Sequence, residues 1–590
     1  MRHLSRRTPA LLHRFKRKPI VGIFALAMVC MVVVLTLQLR SSDRRKGVID
    51  VNPPPARKVG VRASELFSNH KTHSPARVPD SSMSTGDAAK WRMINRNPDN
   101  DEIGSRLQMA QAFYANIFQT LVQGKPAIPP LSNYGSPDRI YHAGYDGLDD
   151  GPVFTEHFLK QYLQLTPEEV ESMKKSHRAV VRSLPDTYPE GLYRGNGIVY
   201  VGGGRFNWLA LLSIKSLRSV GSKLPVEVFI PTLEEYEVDL CGRVFPALNA
   251  RCIFMPRELG PAVSDHNSFH GYQYKSLALI TSSFENVLLL DSDNIAAHAP
   301  DHVFDVDPFV SHGLVVWPDF WKRATSPFFY DIADVKLTNK RVRFGFNEFG
   351  EFRPNNVHNE GDPPLHDVEG AIPDPTTESG QLMISKKKHT KSLFLSLYYN
   401  LYGPDYFYPL FSQGSDGEGD KETFLAAAVV LKNSFYQVNK FLTAFGHFNQ
   451  EREFLGSGMG QFDPVEDYRI LQKRLEAKKD GRLLSLDSDE FKNQPRVLFI
   501  HSNFPKLNPW ELKQNGKIVE HGERIRLYGP GMAKRIGYDF ETVQWQNMKF
   551  LVCELKLQLT CFEGVSEAEL CDEISQQLDF LLESVATLEE

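Results

Sequence analysis

Residues 19–39 (PIVGIFALAMVCMVVVLTLQL) contain no charged side chain, and no later stretch is as long and as apolar. About 20 residues at 1.5 Å rise per residue cross a ~30 Å hydrocarbon core, so this run predicts a membrane-spanning helix. Residues 41 to about 100 lack periodic apolar positions and are rich in Arg, Lys, Ser, Pro and Asp. That composition buries too little surface to offset chain ordering and predicts a flexible stem. From residue 103 a 3.6-residue apolar period (IGSRLQMAQAFYANIFQTLVQG) predicts a helix ended by Gly124 and Pro126. Thr166-Pro-Glu-Glu opens another, with Thr166 as N-cap and Pro167 at the first helical position.

The texture then alternates. Short apolar runs at 197–201, 226–230, 251–255 and 286–290 read as strands, with helical periods at 207–220 and 272–284 between them. Further strands are predicted at 314–317, 382–385 and 497–500. Residues 335–376 are a polar insertion that reads as a loop over the site, 445–495 reads as helical and charged, and 565–588 as a final amphipathic helix. Strands alternating with helices predict an α/β fold, a mixed sheet covered by helices on both faces. In such sheets ligands bind at the carboxyl ends of the strands.

Charge orients the membrane run. Seven Lys or Arg residues precede it, whereas only Arg40, Arg44, Arg45 and Lys46 follow closely. The positive-inside bias then keeps the N-terminus cytosolic and sends the rest into the lumen. A cleaved signal peptide has a shorter apolar core followed by a small-residue cleavage site, which Leu-Gln-Leu-Arg does not provide. The expected organisation is a cytosolic tail (1–18), a single-pass signal-anchor (19–39), a stem (40–100), a helical segment (101–195), an α/β domain (196–530) and a C-terminal segment ending in a helix (531–590).

Over 590 residues the formal net charge is only −4, which gives no case for a nucleic-acid partner. There is no Asn-x-Ser/Thr sequon. Of the cysteines beyond the apolar run, Cys241 and Cys252 close a short loop between two predicted strands and are the preferred pair. Among Cys553, Cys561 and Cys571 one must be left over, and sequence does not say which.

Asp291-Ser-Asp293 is the leading chemical motif. Asp-x-Asp by itself says little, since Asp99-Asn-Asp101, Asp305-Val-Asp307 and Asp487-Ser-Asp489 match as well. Asp291 and Asp293 differ in emerging at the carboxyl end of an apolar strand, where two carboxylates can share a divalent cation. A second predicted strand ends at His501, with Lys506 a short loop away. The imidazole could complete a metal site and the ammonium could neutralise a diphosphate.

A strand followed by Asp-x-Asp, then a distant strand-His with Lys-x-x-Pro-Trp (Lys506 to Trp510), resembles retaining glycosyltransferases of the GT-A fold. The ordered blocks GYQYKSLAL, NVLLLDSDN, GLVVWPDFWKR, ESGQLMI and GDKETF are more similar still to fungal α-mannosyltransferases of glycosyltransferase family 71, of the α-1,2 type that starts side chains on cell-wall mannan. The likeness covers about 195 to 510.

The resemblance implies that Asp291, Asp293 and His501 ligate Mn²⁺ and that Lys275, Asp291 and Lys506 face the donor. Gly203, in the glycine turn 202–204, would lie where the nucleoside binds. Asp420 would stand near the acceptor hydroxyl or sugar ring, with Glu378 and Gln381 toward the donor sugar. No nucleophile is assigned. Trp317, Phe320 and Trp321 read as core or as a sugar platform.

The implied activity is a metal-dependent, configuration-retaining transfer of mannose from GDP-mannose to a mannan or glycoprotein glycan. Its implied setting is the Golgi membrane, in a mannosyltransferase complex. An α-1,3 linkage, a UDP-sugar donor, or a tethered lectin or scaffold remain open on sequence. A glycoside hydrolase would need carboxylates across a cleft rather than adjacent on one strand end.

Overall fold

The computed structural model describes residues 84–94, 101–135, 138–141, 143–145, 152–343, 362–480, 494–529 and 531–585. The apolar run 19–39 and most of the stem lie outside these residues. Among the described residues no helix is long and apolar enough to cross a membrane.

Among the described residues three longer helices precede the first strand, α1 (Thr85–Ile94), α2 (Asp101–Gln123) and α3 (Pro167–Ser183), with the one-turn helix Glu156–Leu159 between the last two. The end of the expected stem is therefore folded. Ile94 is buried in the core, and the Trp91 ring meets Phe254 edge-on at 5.8 Å. The start of α3 follows the sequence: the Thr166 side chain accepts from the Glu169 amide while Glu169 reaches back to the Thr166 amide. Two otherwise orphaned donors are satisfied at once.

The sheet region then runs β1 (Asn196–Val201), α4 (Phe206–Ser219), β2 (Val226–Ile230), β3 (Ala250–Phe254), α5 (Gln273–Thr281), β4 (Asn286–Leu290), β5 (Asn294–Ala296), β6 (Leu314–Pro318) and β7 (Thr377–Ser385). It continues with α6 (Thr390–Leu401), α7 (Thr423–Val430), β8 (Tyr436–Gln437), β9 (Thr443–Phe448), β10 (Phe454–Phe462), α8 (Pro464–Lys479) and β11 (Val497–His501). The C-terminal helices include α9 (Pro509–Gln514), α10 (Phe540–Lys549) and α11 (Glu567–Glu583).

Seven strands form one mixed sheet in the order β3-β2-β1-β4-β7-β6-β8. β3, β2, β1 and β4 are parallel neighbours, and β7 pairs antiparallel to both β4 and β6. Side chains alternate between the faces of a strand, and here both faces are buried. Ile198, Leu288, Leu290 and Met383 enter one core, whereas Val199, Val287, Leu289 and Leu382 enter the other. Each such aliphatic contributes roughly 1.5–3 kcal/mol on burial, which anchors β4 and the residues it delivers.

Helices α2, α3, α5, α6 and α7 supply residues to the second core. The first core is different, because α4, α10 and α11 share it with a second sheet of order β5-β11-β10-β9. The stretch 445–495, expected as helical, instead begins within two antiparallel strands, Thr443–Phe448 and Phe454–Phe462; among its described residues only Pro464–Lys479 is helical. The physical reason is the glycine series in LGSGMGQF together with Gly446 on the facing strand. An added Cβ at Gly446 would come 2.0 Å from the Leu455 carbonyl, and one at Gly460 would come 2.5 Å from the Phe445 ring. Cys241–Cys252 and Cys553–Cys571 are disulfides, and among the described residues Cys561 is the free thiol.

Glu541 on α10 is buried and accepts from the Leu527 and Tyr528 amides at 3.0 and 3.3 Å. Burial, only partly offset by these donors, pushes its carboxyl up from 4.5 to about 7. The unfolded chain therefore loses this proton at lower pH than the folded one. Stability contributed by Glu541 falls from about pH 4.5 to about pH 7 and is flat above, by about 3 kcal/mol in all. Glu541→Gln should remove that limb in unfolding curves taken across pH. An unchanged slope would contradict the assignment.

Candidate active site

The site is built where β4 leaves the large sheet. After Leu290 the chain turns through Asp291, Ser292 and Asp293, with the Asn294 amide donating to the Asp291 carbonyl at 2.9 Å. The chain then enters the second sheet as β5, whose Asn294 stands opposite His501 at the end of β11. The Ser502 amide donates to the Asp293 carbonyl at 2.9 Å, closing the junction. A strand hand-off between two sheets thus brings together residues far apart in sequence.

One ligand atom from each of Asp291, Asp293 and His501 lies within 4.8 Å of the others, a grouping able to hold a metal ion. His501 Nε2 stands 3.2 Å from Asp293 Oδ1 and 3.9 Å from Asp291 Oδ2. Lys506, carried on the loop before α9, donates to Asp293. Lys275, on α5, donates to Asp291 Oδ2 at 2.9 Å and to the Ser379 hydroxyl and carbonyl at 2.9 and 3.0 Å. It also lies 3.9 Å from Asp420 Oδ2, and Ser379 Oγ donates to Asp420 Oδ1 at 3.2 Å.

Titration follows this charge pattern. Burial raises the Asp291 carboxyl against the pull of Lys275 and His501, and the neighbouring Asp293 adds to the rise. Burial acts on Asp293 too, but Lys506 and His501 overcome it and hold that carboxyl well below the usual range. Burial disfavours the imidazolium of His501, yet Glu378 and Asp293 hold its pKa well above the ordinary value. Asp420 is raised to about 6 by burial, against the pull of Lys275.

Glu378 and Ser379–Gln381 reach this cluster through a bulge. Val316 of β6 pairs with Leu382, but the next residue, Trp317, pairs with Glu378, so Ser379–Gln381 loop out of that ladder. Bulges re-aim side chains in this way beside functional sites. On the other side the Asp291 amide still donates to the Gly380 carbonyl at 2.8 Å.

The one-turn helix Asp420–Glu422 is clamped from below. Lys421 donates to Asp319 Oδ2 at 2.6 Å, Glu422 pairs with the fully buried Arg323, and the Thr377 hydroxyl donates to the Lys421 carbonyl.

Not every expected residue joins the cluster. Gly203 lies past the carboxyl end of β1 and its amide donates to Asn207 Oδ1 at 2.8 Å. Its φ of +101° and the nearby Pro231 and Glu235 explain why glycine stands there. Gln381 is fully buried with its carbonyl on Asn294. Trp317 is a core residue, its indole donating to the Phe462 carbonyl at 2.8 Å, while Trp321 is half-buried. Sequence reasoning missed Ser379, Gly380, Asn294, Asp319 and Arg323. A glycine between polar residues inside a strand, as in ESGQ, was the available signal of a close approach.

Residues 195–463 match a family model described as a mannosyltransferase. The α-1,2-mannosyltransferase MNN21 of Candida albicans is 55% identical over 81% of this chain and 76% of its own length. The chain belongs to the fungal α-1,2-mannosyltransferase family. Two further members are MNN2 of Saccharomyces cerevisiae, 38% identical over 84% of this chain and 89% of its own, and MNN23 of Candida albicans, 37% over 74% and 79%. Among solved structures the glycosyltransferase GlyE of Streptococcus pneumoniae is a distant likeness, with a TM-score of 0.28 at 12% identity, covering 65% of this chain and 64% of that one. The family assignment rests on the sequence relatives.

In this family member Gly380 is a steric requirement of the site. A Cβ there would lie 2.6 Å from His501 Nδ1 and 2.7 Å from Glu378 Oε2. Gly380→Ala should displace one of them and weaken divalent-cation binding by about tenfold or more, measured calorimetrically, with the circular dichroism unchanged. Wild-type cation affinity in that variant would contradict the geometry.

Proposed function

We propose that the chain is a single-pass type II enzyme of the Golgi membrane. It transfers mannose from GDP-mannose in α-1,2 linkage, with retention of configuration, to the mannan backbone of glycoproteins, using Mn²⁺ and working within a Golgi mannosyltransferase complex. The observation that carries the reading is the Asp291–Asp293–His501 cluster at the carboxyl edge of the parallel strands, in a member of this family. The strand order and the site's position at that edge support a GT-A fold.

The residues present fit a divalent cation. Two carboxylates and an imidazole are a donor set that Mn²⁺ accepts, and the positive charge they require is met in the protein alone by Lys506 and by the histidine's own proton. When bound, Mn²⁺ supplies charge to the diphosphate leaving group. Lys506 and Lys275 are placed to add their own charge to that diphosphate, Lys506 by leaving Asp293. Asp420 is only 2% exposed and linked through Ser379 and Lys275 to Asp291. That position suits a group facing the sugar ring or the acceptor hydroxyl. Gly203 is assigned to the nucleoside end, one strand away. The apolar run 19–39 is assigned as the anchor.

The direct test is purified full-length chain with Mn²⁺, a panel of GDP- and UDP-sugars and mannose oligosaccharides, with linkage analysis of the product. We expect α-1,2-mannosyl product from GDP-mannose alone. An α-1,3 product, a UDP-sugar donor or no transfer at all would overturn the reading. Asp293→Ala should abolish metal-dependent donor binding; its persistence would sink the metal assignment. Asp420→Asn should lower kcat by roughly 10²-fold or more with donor KM changed only a few-fold, and a kcat near wild type would remove Asp420 from the chemistry.

A further inference from the structure

We infer that Glu378 is the positioning residue that orients His501 for metal binding, and does not serve as a contact to the donor sugar. The inference rests on the metal reading above. The His501 ring stands between carboxylates on both sides: Nε2 faces Asp293 and Asp291, and Nδ1 lies 3.4 Å from Glu378 Oε1. His501 Nδ1 is buried with no hydrogen-bond partner, and so is Glu378 Oε2. Leaving two such groups unpaired costs about 1–3 kcal/mol each. Glu378 is buried with its carboxylate turned to the His501 ring.

Three features hold the carboxylate against this edge of the ring. The bulge in β7 delivers Glu378 there. The Gly380 amide donates to Glu378 Oε1 at 2.8 Å and fixes the carboxylate plane. The missing side chain at Gly380 leaves Nδ1 and Oε2 free to approach, since a Cβ would sit within 2.7 Å of each. A histidine that ligates a metal through one nitrogen characteristically donates its other N–H to a carboxylate, which fixes tautomer and ring orientation. Hydrogen bonds of this kind are often long before the ligand arrives and shorten with it. With Nδ1–H directed to Glu378, Nε2 presents its lone pair between Asp291 and Asp293.

The test measures Mn²⁺ binding alone, without donor, by electron paramagnetic resonance of free Mn²⁺. It compares the full chain with Glu378→Leu, Glu378→Gln, His501→Ala and the Glu378→Leu/His501→Ala double variant, with folding checked by circular dichroism. Glu378→Leu should weaken binding about 10- to 100-fold. Glu378→Gln, whose carbonyl still accepts from Nδ1–H, should stay within about threefold of wild type. In the His501→Ala background Glu378→Leu should add nothing, because the ring it orients is gone.

If His501→Ala loses binding but Glu378→Leu does not, or raises only the KM for GDP-mannose, this inference is overturned and the metal site stands. Additive losses in the double variant overturn it as well. If the wild-type chain binds no Mn²⁺, or His501→Ala binds it normally, the metal reading fails and this inference with it.

Discussion

Four carboxylates, Asp291, Asp293, Glu378 and Asp420, converge at the carboxyl end of β4, and three of them have side chains less than a tenth exposed. Anions taken out of water at such spacing repel one another and lose hydration, which costs several kcal/mol per ion unless cations lie beside them. Lys275, Lys506 and the imidazolium of His501 meet that demand in the protein alone. Each cation comes from a different element: α5, the loop before α9, and the end of β11. The charge balance therefore ties together parts of the chain that the hydrophobic cores alone do not position to atomic precision. It also makes the site responsive, because a ligand bringing its own positive and negative charges replaces existing pairs and need not create new ones.

The topology that permits this is the passage of the chain from one sheet into the other. β4 is buried on both faces and cannot shift without exposing four aliphatic side chains. β5 is only three residues long, yet its pairing with β11 sets His501 opposite Asn294 and beside Asp293. The bulge in β7 and the clamp of Asp319 and Arg323 on the Asp420–Glu422 turn then complete the wall. Rigid elements carry the charged groups, while Lys506 sits on a loop and can change partner.

Much of the large sheet was legible because its strands are short continuous apolar runs separated by helical periods, as expected for strands buried on both faces. Asp291, Asp293, His501 and Lys506 were legible for a related reason: each lies at or just beyond the carboxyl end of an apolar strand, β4 or β11. The second sheet was not. β5 is too short to show a period, and β9 and β10 replace apolar residues with the glycines that let their backbones close. Charge in the adjoining α8 made the whole stretch read as helix. The relation of Glu378 to His501 was also hidden, because it depends on a bulge that spacing along one strand does not reveal. The helix α1 was masked by the polar composition around it, although Trp91, Met93 and Ile94 carry its contacts.

On the proposed reading this carboxylate cluster is a cation site, which Lys506 occupies in part until donor and metal arrive. It is tested most directly by diffraction from crystals of the chain grown with Mn²⁺ and GDP-mannose, using anomalous scattering to locate manganese. The account predicts an anomalous peak bounded by Asp291, Asp293 and His501 Nε2, with Lys506 moved from Asp293 onto the diphosphate. Manganese bound elsewhere, or Lys506 still paired with Asp293 in the donor complex, would contradict it.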